Sequence, residues 1–336
     1  MLQVFRNYNI SAFAALFAFS ILIHLVGFIG PNEILQEGIV NQRLFAKKLA
    51  LNHQLWSVSL AFLCNSTVAL ILLNLFNKYL VFDYKAVLIP YAFLLYCGSS
   101  FSMLQFSLGH VVLIQKVIII YIIFSLYEMA RDRAPLNLYI LGFITGILVL
   151  IEPTNSLFLF IILLGVLLFK PSQPKDVFVF LLGFVVVVFF IFSIYFLGDT
   201  QDGIKSFFVT RILISEKSLF LPFQPFYFLV LLFAFAILVL YLEKTRFNIF
   251  SRKAHQFLSV LLLINLIITF INGKYLFENA QNFSLLFGIY VGHFLYSFKV
   301  KWLTELVNIC LLIIIFWFQY DYLLPIQFEE IPDYLF

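Results

Sequence analysis

Long apolar segments follow one another along the whole of this 336-residue chain. A helix needs about 17 to 25 predominantly apolar residues to cross the hydrocarbon core of a lipid bilayer. Eleven segments reach or approach that length, with edges good to a few residues: 11–30, 55–76, 86–103, 110–129, 135–151, 156–170, 176–197, 223–242, 255–272, 282–298 and 302–318. The sequence therefore predicts an all-α, polytopic transmembrane helix bundle of about 11 spans, within a range of roughly 9 to 12.

Composition favours the same class and excludes several others. Hydrophobic residues make up 63% of the chain and charged residues 11%, whereas an ordinary soluble domain has about 25% charged residues. The mean hydropathy is +1.04, and a soluble fold of this size has too little interior to hide so much apolar surface. A soluble enzyme, a disordered chain and a nucleic-acid-binding protein with a basic face are therefore excluded.

The chain is expected to form a single membrane domain over residues 1–336, without a linker or an internal repeat. Cys64, Cys97 and Cys310 lie in apolar segments without metal-type spacing, so neither a disulfide framework nor a zinc site is expected. Two segments between spans are longer than a turn requires, the first at 31–54 and the second at 198–222.

Two short apolar segments meet at Glu152-Pro153-Thr154-Asn155. Proline cannot continue a helical hydrogen-bond ladder, so this tetrapeptide is either a tight turn or a kink. Merging the two segments would break the alternation of cationic and cation-poor loops, so we predict a hairpin. The number of spans is also open at 86–103, because that segment becomes polar at Gly98, Ser99 and Ser100.

Lysine and arginine are distributed unevenly between the two sets of loops. With a cytoplasmic N-terminus, thirteen of the 21 lie in cytoplasmic segments, seven in outer segments and one, Lys116, within a span. Cytoplasmic loops are enriched in these residues. We therefore expect a multi-pass protein of the bacterial inner membrane, with its N-terminus inside and its C-terminus outside. Pro31 follows Gly30 directly and disfavours signal-peptide cleavage there, so the first span is expected to be a retained anchor.

The first outer segment, 31–54, combines two acids with an amphipathic pattern typical of a helix lying along a membrane surface. Glu33 and Glu37 are four residues apart and would share one face of a helix. A carboxylate just outside the membrane could act as the general base that a sugar-transfer reaction needs at its acceptor hydroxyl. The alternative is a solvated acidic turn that balances the helix dipole.

Candidate phosphate-binding residues lie at the same predicted side. Arg211 belongs to the second outer segment, where cations alternate with phenylalanines; such residues bind lipid phosphates or anchor the chain at the interface. Lys116 lies within a span below His110 and could reach a phosphate or extend to the headgroups. Glu152 and Asn155, at the proline turn, are candidate supporting residues. The remaining polar residues of the spans, namely His24, Asn65, Asn265, His293 and Asn308, are predicted to be interhelical hydrogen-bond partners.

This layout resembles that of the GT-C superfamily, whose members are glycosyltransferases that use polyprenyl-phosphate-linked sugars. The similarity lies in an N-inside first helix, an acidic and amphipathic outer loop, and a following bundle of spans. Residues 141–148 with the turn at 152–155 resemble the glycine-rich helix, polar turn and apolar helix of those enzymes. The chain is also similar to a family of bacterial polytopic inner-membrane proteins of about this length.

The resemblance implies a role for particular residues. Glu33 would be the catalytic base, with Glu37 as the second acid, and Lys116 and Arg211 would bind phosphate together with His110. GT-C enzymes usually carry an aspartate, often beside a second acid, in the first outer loop, and here Glu33 and Glu37 stand in that loop without being adjacent. No cofactor is evident from the sequence, although a divalent metal is compatible with such a transferase. The expected partners are the lipid bilayer and a polyprenyl-phosphate-linked sugar.

Three functions remain open from the sequence. The first is a glycosyltransferase that moves a sugar from a polyprenyl-phosphate carrier at the outer leaflet. The second is a non-enzymatic membrane subunit of a cell-envelope assembly or secretion machine. The third is a transporter of a small molecule or lipid, which is expected to have charged or broken helices near the middle of the bilayer.

Overall fold

The computed structural model describes residues 2–6, 8–29, 54–79, 81–82, 87–99, 101–104, 106–127, 134–151, 153–169, 174–197, 224–243, 247–272, 280–298 and 300–323. All regular secondary structure within these residues is helical. The predicted outer segments 31–54 (apart from Gln54) and 198–222 lie outside the described residues. The predicted site residues Glu33, Glu37, Glu152 and Arg211 lie outside them as well.

The helices follow the predicted apolar segments closely. They are α1 (Leu2–Arg6), α2 (Ile10–Ile29), α3 (Gln54–Tyr79), α4 (Leu88–Gly98), α5 (Phe101–Leu104), α6 (Leu108–Ser125), α7 (Ala134–Ile151), a 3₁₀ helix (Pro153–Leu157), α8 (Phe158–Phe169), α9 (Pro174–Leu197), α10 (Gln224–Glu243), α11 (Ile249–Asn272), α12 (Ala280–Ser297) and α13 (Lys301–Leu323). The predicted all-α class is therefore confirmed for the described part of the chain.

Only part of the predicted span pattern is visible in helix length and composition. Among the described residues, one helical stretch, Trp56–Tyr79 of α3, is long and apolar enough to cross a membrane by those two criteria. Apolar helical stretches of 10–17 residues occur in α2, α4, α6, α7, α8, α10 and α12. The arrangement of eleven spans stays a prediction.

Helix α4 lies at the centre of the bundle. All eleven of its residues are buried, and it packs against α2, α3 and above all α12. On α12, Gly288 and Gly292 are four residues apart and share one face. A Cβ atom at these positions would lie 2.7 Å from the Cβ of Phe93 and 2.6 Å from the Cα of Ile89, respectively. Such pairs of small residues allow two backbones to approach closely, which is the usual packing device of membrane helices.

Helices α7 and α9 pack in a similar way. A Cβ atom at Gly142 would collide with the carbonyl group of Phe180, and one at Gly146 would lie 2.8 Å from the Cβ of Val187. These contacts advance in the same direction along both helices, so α7 and α9 run parallel. The glycines that the sequence analysis assigned to a glycine-rich helix are thus the contact surface of α7.

The chain reverses direction at the proline turn, as the sequence predicted. The ammonium group of Lys116 lies over the ring of Phe158, and Ile123 lies beside Gly165, so α6 and α8 run in the same direction. If α7 and α8 formed one continuous helix, α7 would begin far beyond the N-terminal end of α6. The chain, however, leaves α6 at its C-terminal end. The connection 126–133 could reach at most about 28 Å, too short for that path. The residues Pro153–Leu157 form a 3₁₀ helix at the reversal.

The predicted span 86–103 is wrong as a single helix. Helix α4 ends at Gly98, and the short helix α5 begins only at Phe101. At 1.5 Å per residue, α4 is about 16 Å long, roughly half the hydrocarbon thickness of a bilayer. The small and polar residues that follow it promote this ending, and Ser99 bonds back to the carbonyl oxygen of Tyr96 through both its backbone N–H and its hydroxyl.

Candidate functional site

Buried polar groups gather where α4 breaks, in the predicted outer half of the bundle. Asn65 Nδ2 lies 3.0 Å from His24 Nε2 and 2.7 Å from the carbonyl oxygen of Met103. His110 Nε2 lies 3.2 Å from the same carbonyl oxygen. We define His24, Asn65, His110 and the Met103 carbonyl as the histidine–asparagine network. Its three side chains come from α2, α3 and α6, and all of them are fully buried.

The hydrogen-bond partners fix which nitrogen of each ring carries the proton. His24 Nδ1 lies 2.8 Å from the carbonyl oxygen of Ser20, which can only accept, so Nδ1 donates and Nε2 accepts from Asn65. His110 has the opposite tautomer, because its Nε2 donates to the Met103 carbonyl and its Nδ1 accepts from the backbone N–H of Ser107 at 3.2 Å. Both rings are neutral in this arrangement.

The network also supplies hydrogen-bond donors to carbonyl groups at the break in α4. Carbonyl groups at a helix end lack partners within the helix and need them elsewhere when they are buried. The Met103 carbonyl receives Asn65 and His110, while Gln319 Nε2 of α13 lies 3.2 Å from the Gly98 carbonyl oxygen. Two buried acceptors, Asn65 Oδ1 and Gln319 Oε1, have no hydrogen-bond partner among the described residues. Within the described part of the chain, both amides therefore use their donors and not their acceptors.

Lys116 occupies a second buried position at the same end. Its side chain is only 3% exposed, and Nζ lies 4.4 Å from the centre of the Phe158 ring, a cation–π distance. Asn155, three residues earlier in the 3₁₀ helix, is fully buried. The structure thus brings the predicted phosphate-binding lysine to the proline turn that carries its predicted supporting residue.

The predicted phosphate-binding residues divide between these two positions. His110 faces α2, α3 and α5 through the histidine–asparagine network, whereas Lys116 faces α8. Six residues separate them on α6, which turns their side chains about 120° apart. His110 therefore acts with His24 and Asn65 in the described structure, and its sequence-based grouping with Lys116 is not reproduced. Glu33, Glu37, Glu152 and Arg211 cannot be placed, since they lie outside the described residues.

A third polar group lies at the predicted inner end, and the sequence analysis assigned it no function. His293 Nε2 of α12 lies 3.0 Å from Glu243 Oε2 at the end of α10. The His293 ring stacks on Phe82 with ring centres 4.3 Å apart. His255 lies against the same ring and against Phe247, at 5.0 and 4.5 Å. The sequence signal for this group was the presence of two histidines in apolar segments, which does not indicate that they meet.

The predicted inner end is closed by α1. The Arg6 guanidinium donates to the Leu295 carbonyl oxygen and to Thr304 Oγ1, at 3.1 and 3.2 Å. The backbone N–H of Leu2 donates to Glu305 at 3.0 Å, and that of Val87 donates to the Phe5 carbonyl oxygen at 3.0 Å. These bonds tie α1 to α4, α12 and α13.

Metal binding has little support in the described part of the chain. No group of three or more His, Cys, Asp or Glu side chains there could hold a metal ion. Comparison with known proteins adds no further assignment: no family model matches the chain, and no match was found among curated proteins or solved structures.

Proposed function

We propose that this chain is a polytopic protein of the bacterial inner membrane. The support is a surface that is inverted relative to a soluble protein: large apolar side chains point outward and polar ones inward. Phe178, Phe189 and Leu231 are 67–68% exposed, while His24, Asn65 and Lys116 are buried. Contiguous apolar surface of this kind is rare on soluble monomers and is the normal lipid-facing surface of a membrane protein.

The tryptophans support the same proposal and suggest where the membrane lies. The chain has three, and Trp56, Trp302 and Trp317 are all 64–68% exposed near helix ends. Tryptophan is enriched at membrane–water interfaces. Trp302 and Trp317 lie near opposite ends of α13, about 22 Å apart along the helix axis. That spacing is compatible with two interfacial belts around a bilayer core of about 30 Å, because the indoles reach toward the headgroups.

We propose further that the end with Lys116 faces outward and binds a lipid-linked phosphate. A charged ammonium within a membrane-embedded bundle costs about 2.5–3.5 kcal/mol on insertion scales and usually marks a substrate or ion site. Lys116 is the observation that carries this proposal, because it is buried at the proline turn beside Phe158. The phosphate of a polyprenyl carrier is an anion that a buried ammonium group can bind.

The reaction that fits such a site is transfer of a sugar from a polyprenyl-phosphate carrier to an acceptor hydroxyl, as in the GT-C superfamily. The phosphate is the leaving group, so the protein must orient both partners, accept the hydroxyl proton and stabilise the departing charge. In this proposal Glu33 accepts the proton with Glu37 nearby, while Lys116 and Arg211 bind phosphate, with Asn155 and Glu152 in support. A divalent metal remains compatible with this reaction.

Binding of a polyprenyl monophosphate to the purified chain in lipid nanodiscs tests the phosphate site. We expect Lys116→Gln to weaken binding at least about tenfold, since a charge-assisted hydrogen bond contributes about 1.5–3 kcal/mol. Lys116→Arg keeps the charge and is expected to retain binding. Lys175→Gln, at an exposed lysine of α9, is the matched control. Equal affinity of the wild type and Lys116→Gln would contradict the proposal.

A sugar-transfer assay tests separately whether Glu33 and Glu37 are catalytic. Loss of transfer in Glu33→Gln at an unchanged membrane level supports catalysis by that residue. Full activity in both Glu33→Gln and Glu37→Gln removes these acids as catalysts. If phosphate binding also fails, a non-enzymatic envelope subunit becomes the better description.

One observation favours transport as a second candidate function. Helix α4 is fully buried and ends at Gly98, about half-way through the length of a normal span, and buried polar side chains of α3, α6 and α13 surround the break. Discontinuous helices with polar surroundings are typical of substrate and ion sites in transporters. The sequence suggested few such features, because no proline marks the break that follows Gly98.

A further inference from the structure

Of the two polar atoms in the Asn65 side-chain amide, only the nitrogen has hydrogen-bond partners among the described residues. Both hydrogens of Nδ2 are used, one toward His24 Nε2 and one toward the Met103 carbonyl, while Oδ1 is buried without a hydrogen-bond partner among the described residues. An unpaired buried acceptor is costly, and it gains most from a donor that can be brought to it. We infer that the histidine–asparagine network is a proton-binding site, in which His24 takes one proton and the Asn65 amide reverses to receive it.

The step forms one covalent N–H bond, reverses the hydrogen bond between Asn65 and His24, and breaks the one between Asn65 and the Met103 carbonyl oxygen. The incoming proton binds the lone pair of His24 Nε2, which now accepts from Asn65 Nδ2. Rotation of the Asn65 amide by about 180° then places Oδ1 where Nδ2 was, so that the new Nε2–H donates to it. Oδ1 then faces the Met103 carbonyl oxygen, a second acceptor 2.7 Å from that position, so this carbonyl group must move away. His24 Nδ1 keeps its hydrogen bond to the Ser20 carbonyl oxygen. A previously unpaired oxygen thereby accepts a charge-assisted hydrogen bond.

His110 is the less suitable proton acceptor of the two rings. Its remaining lone pair, on Nδ1, accepts from the backbone N–H of Ser107, a donor that cannot reverse its direction, and the Ser107 hydroxyl lies 3.3 Å from the same nitrogen. Protonation there would set Nδ1–H against this backbone N–H and leave only the longer contact to the Ser107 hydroxyl as an acceptor. Both rings also belong to the same network, so two positive charges in it would repel each other. We therefore assign a single proton to the network, held on His24.

The surroundings of His24 contain few groups that could compete for this proton. From α3 it faces Asn65 and the Phe62 ring, and Asn65 in turn bonds to the Met103 carbonyl group of α5. Gln319 of α13 bonds to two carbonyl oxygens near this ring. One belongs to Ile23, which precedes His24 in the chain, and the other to Gly98 at the end of α4. Among these described neighbours, His110 is the one titratable group, and no charged side chain faces the ring.

Proton binding would act directly on the broken helix. When the Asn65 amide reverses, the Met103 carbonyl loses one of its two donors and keeps only His110. The contact between α3 and α5 is then weakened while α6 stays attached. Proton binding is thus coupled to the segment that follows the break in α4, whichever substrate the protein handles.

Nitrogen NMR of the chain labelled with ¹⁵N-histidine, in nanodiscs between pH 8 and pH 4, tests this inference. Replacing His24 and His110 in turn by glutamine assigns their signals. At pH 8 we expect His24 as the Nδ1–H tautomer and His110 as the Nε2–H tautomer. On acidification, His24 is expected to become an imidazolium before His110 does, with the Asn65 side-chain amide signal shifting at the same pH.

Two Asn65 variants show whether the Asn65 amide stabilises the protonated form of His24. Asn65→Asp offers only acceptors and is expected to raise the His24 titration midpoint by about one pH unit or more, whereas the nearly isosteric Asn65→Leu is expected to lower it by a similar amount. Should the leucine variant not fold, the aspartate variant still decides. A His24 ring that stays neutral to pH 4, or titrates identically in the wild type and the folded variants, overturns the inference.

Discussion

Many of the buried polar side chains bond to backbone carbonyl groups, and they do so in two different ways. Thr145 and Asn265 bond to carbonyl oxygens four residues earlier in their own helices, at 2.6 and 2.9 Å. Such bonds satisfy a polar side chain without help from another helix. Asn65, Gln319 and Arg6 instead reach carbonyl oxygens of other elements. Only this second kind fixes how helices are arranged, so the informative residues are those at helix ends and breaks.

The hydrogen bond between Tyr91 and Asn308 allows the stability of an interhelical contact to be measured. The Tyr91 hydroxyl donates to Asn308 Oδ1 at 2.8 Å, and both residues are fully buried. We expect Tyr91→Phe to lower the free energy of unfolding by about 0.5–1.5 kcal/mol, because one buried hydrogen bond is lost at nearly constant volume. Thermal unfolding in detergent should show a loss of about 1–3 °C.

Tyr8→Phe is the control for that measurement. Tyr8 is about half exposed, so removal of its hydroxyl is expected to leave the melting temperature unchanged. Equal melting temperatures for the Tyr91 and Tyr8 variants would show that the bond to Asn308 adds no net stability.

The sequence predicted which polar residues bond between helices better than it predicted their partners. His24, Asn65, His293 and Asn308 all make interhelical hydrogen bonds, as expected from polar side chains in apolar segments. The described hydrogen bond of Asn265, by contrast, lies within its own helix. Their grouping could not be predicted, because Asn65 and His110 meet at a carbonyl that is accessible only where α5 ends. Every residue has a backbone carbonyl group, so the identity of Met103 as methionine does not indicate that its carbonyl is the shared acceptor.

At the scale of helices, close packing depends on glycines spaced by four residues. Gly288 and Gly292 bring α12 onto α4, and Gly142 and Gly146 bring α7 onto α9. The positions of the helices were predictable, since apolar length is a local property of the chain. The pairing was not, because α7 packs against α9, beyond the intervening α8. The break after α4 was also missed, since apolar residues resume directly at Phe101 and give 86–103 the length of a span.

Alanine at Gly292 tests the packing of the two central helices. A Cβ atom there would lie 2.6 Å from the Cα of Ile89, a backbone atom that cannot move without shifting α4. We expect Gly292→Ala to destabilise the fold by about 1–3 kcal/mol through overpacking. In Gly27→Ala, the nearest neighbour is a side-chain carbon of Val58 at 3.1 Å, which can move, so the loss should be smaller.

Thermal or denaturant unfolding of both glycine variants in the same detergent gives the comparison. If Gly292→Ala were as stable as the wild type, the α4–α12 contact would be looser than the structure indicates. A larger loss at Gly27 than at Gly292 would have the same meaning.

At the scale of the whole molecule, polar groups concentrate at the two ends and apolar surface covers the sides. Arg6, Glu305 and the Glu243–His293 pair lie at one end, and the histidine–asparagine network and Lys116 at the other. Because the two sets of polar groups are separated, the orientation of the chain in the membrane decides which set faces the outer leaflet. The excess of lysine and arginine in the loops of the first end predicts that it is cytoplasmic, which would place Lys116 at the outer leaflet.

Cysteine accessibility in intact bacterial cells tests that orientation. In a chain whose three native cysteines are replaced by alanine, Ser156→Cys would lie in the 3₁₀ helix at the proposed outer end, and Lys175→Cys at the start of α9 at the proposed inner end. Both positions are exposed. We expect a membrane-impermeant maleimide to label position 156 from outside and position 175 only after permeabilisation. The reverse pattern would place Lys116 at the cytoplasmic leaflet and rule out transfer at the outer one. Labelling of both sites in intact cells would contradict their separation by a membrane.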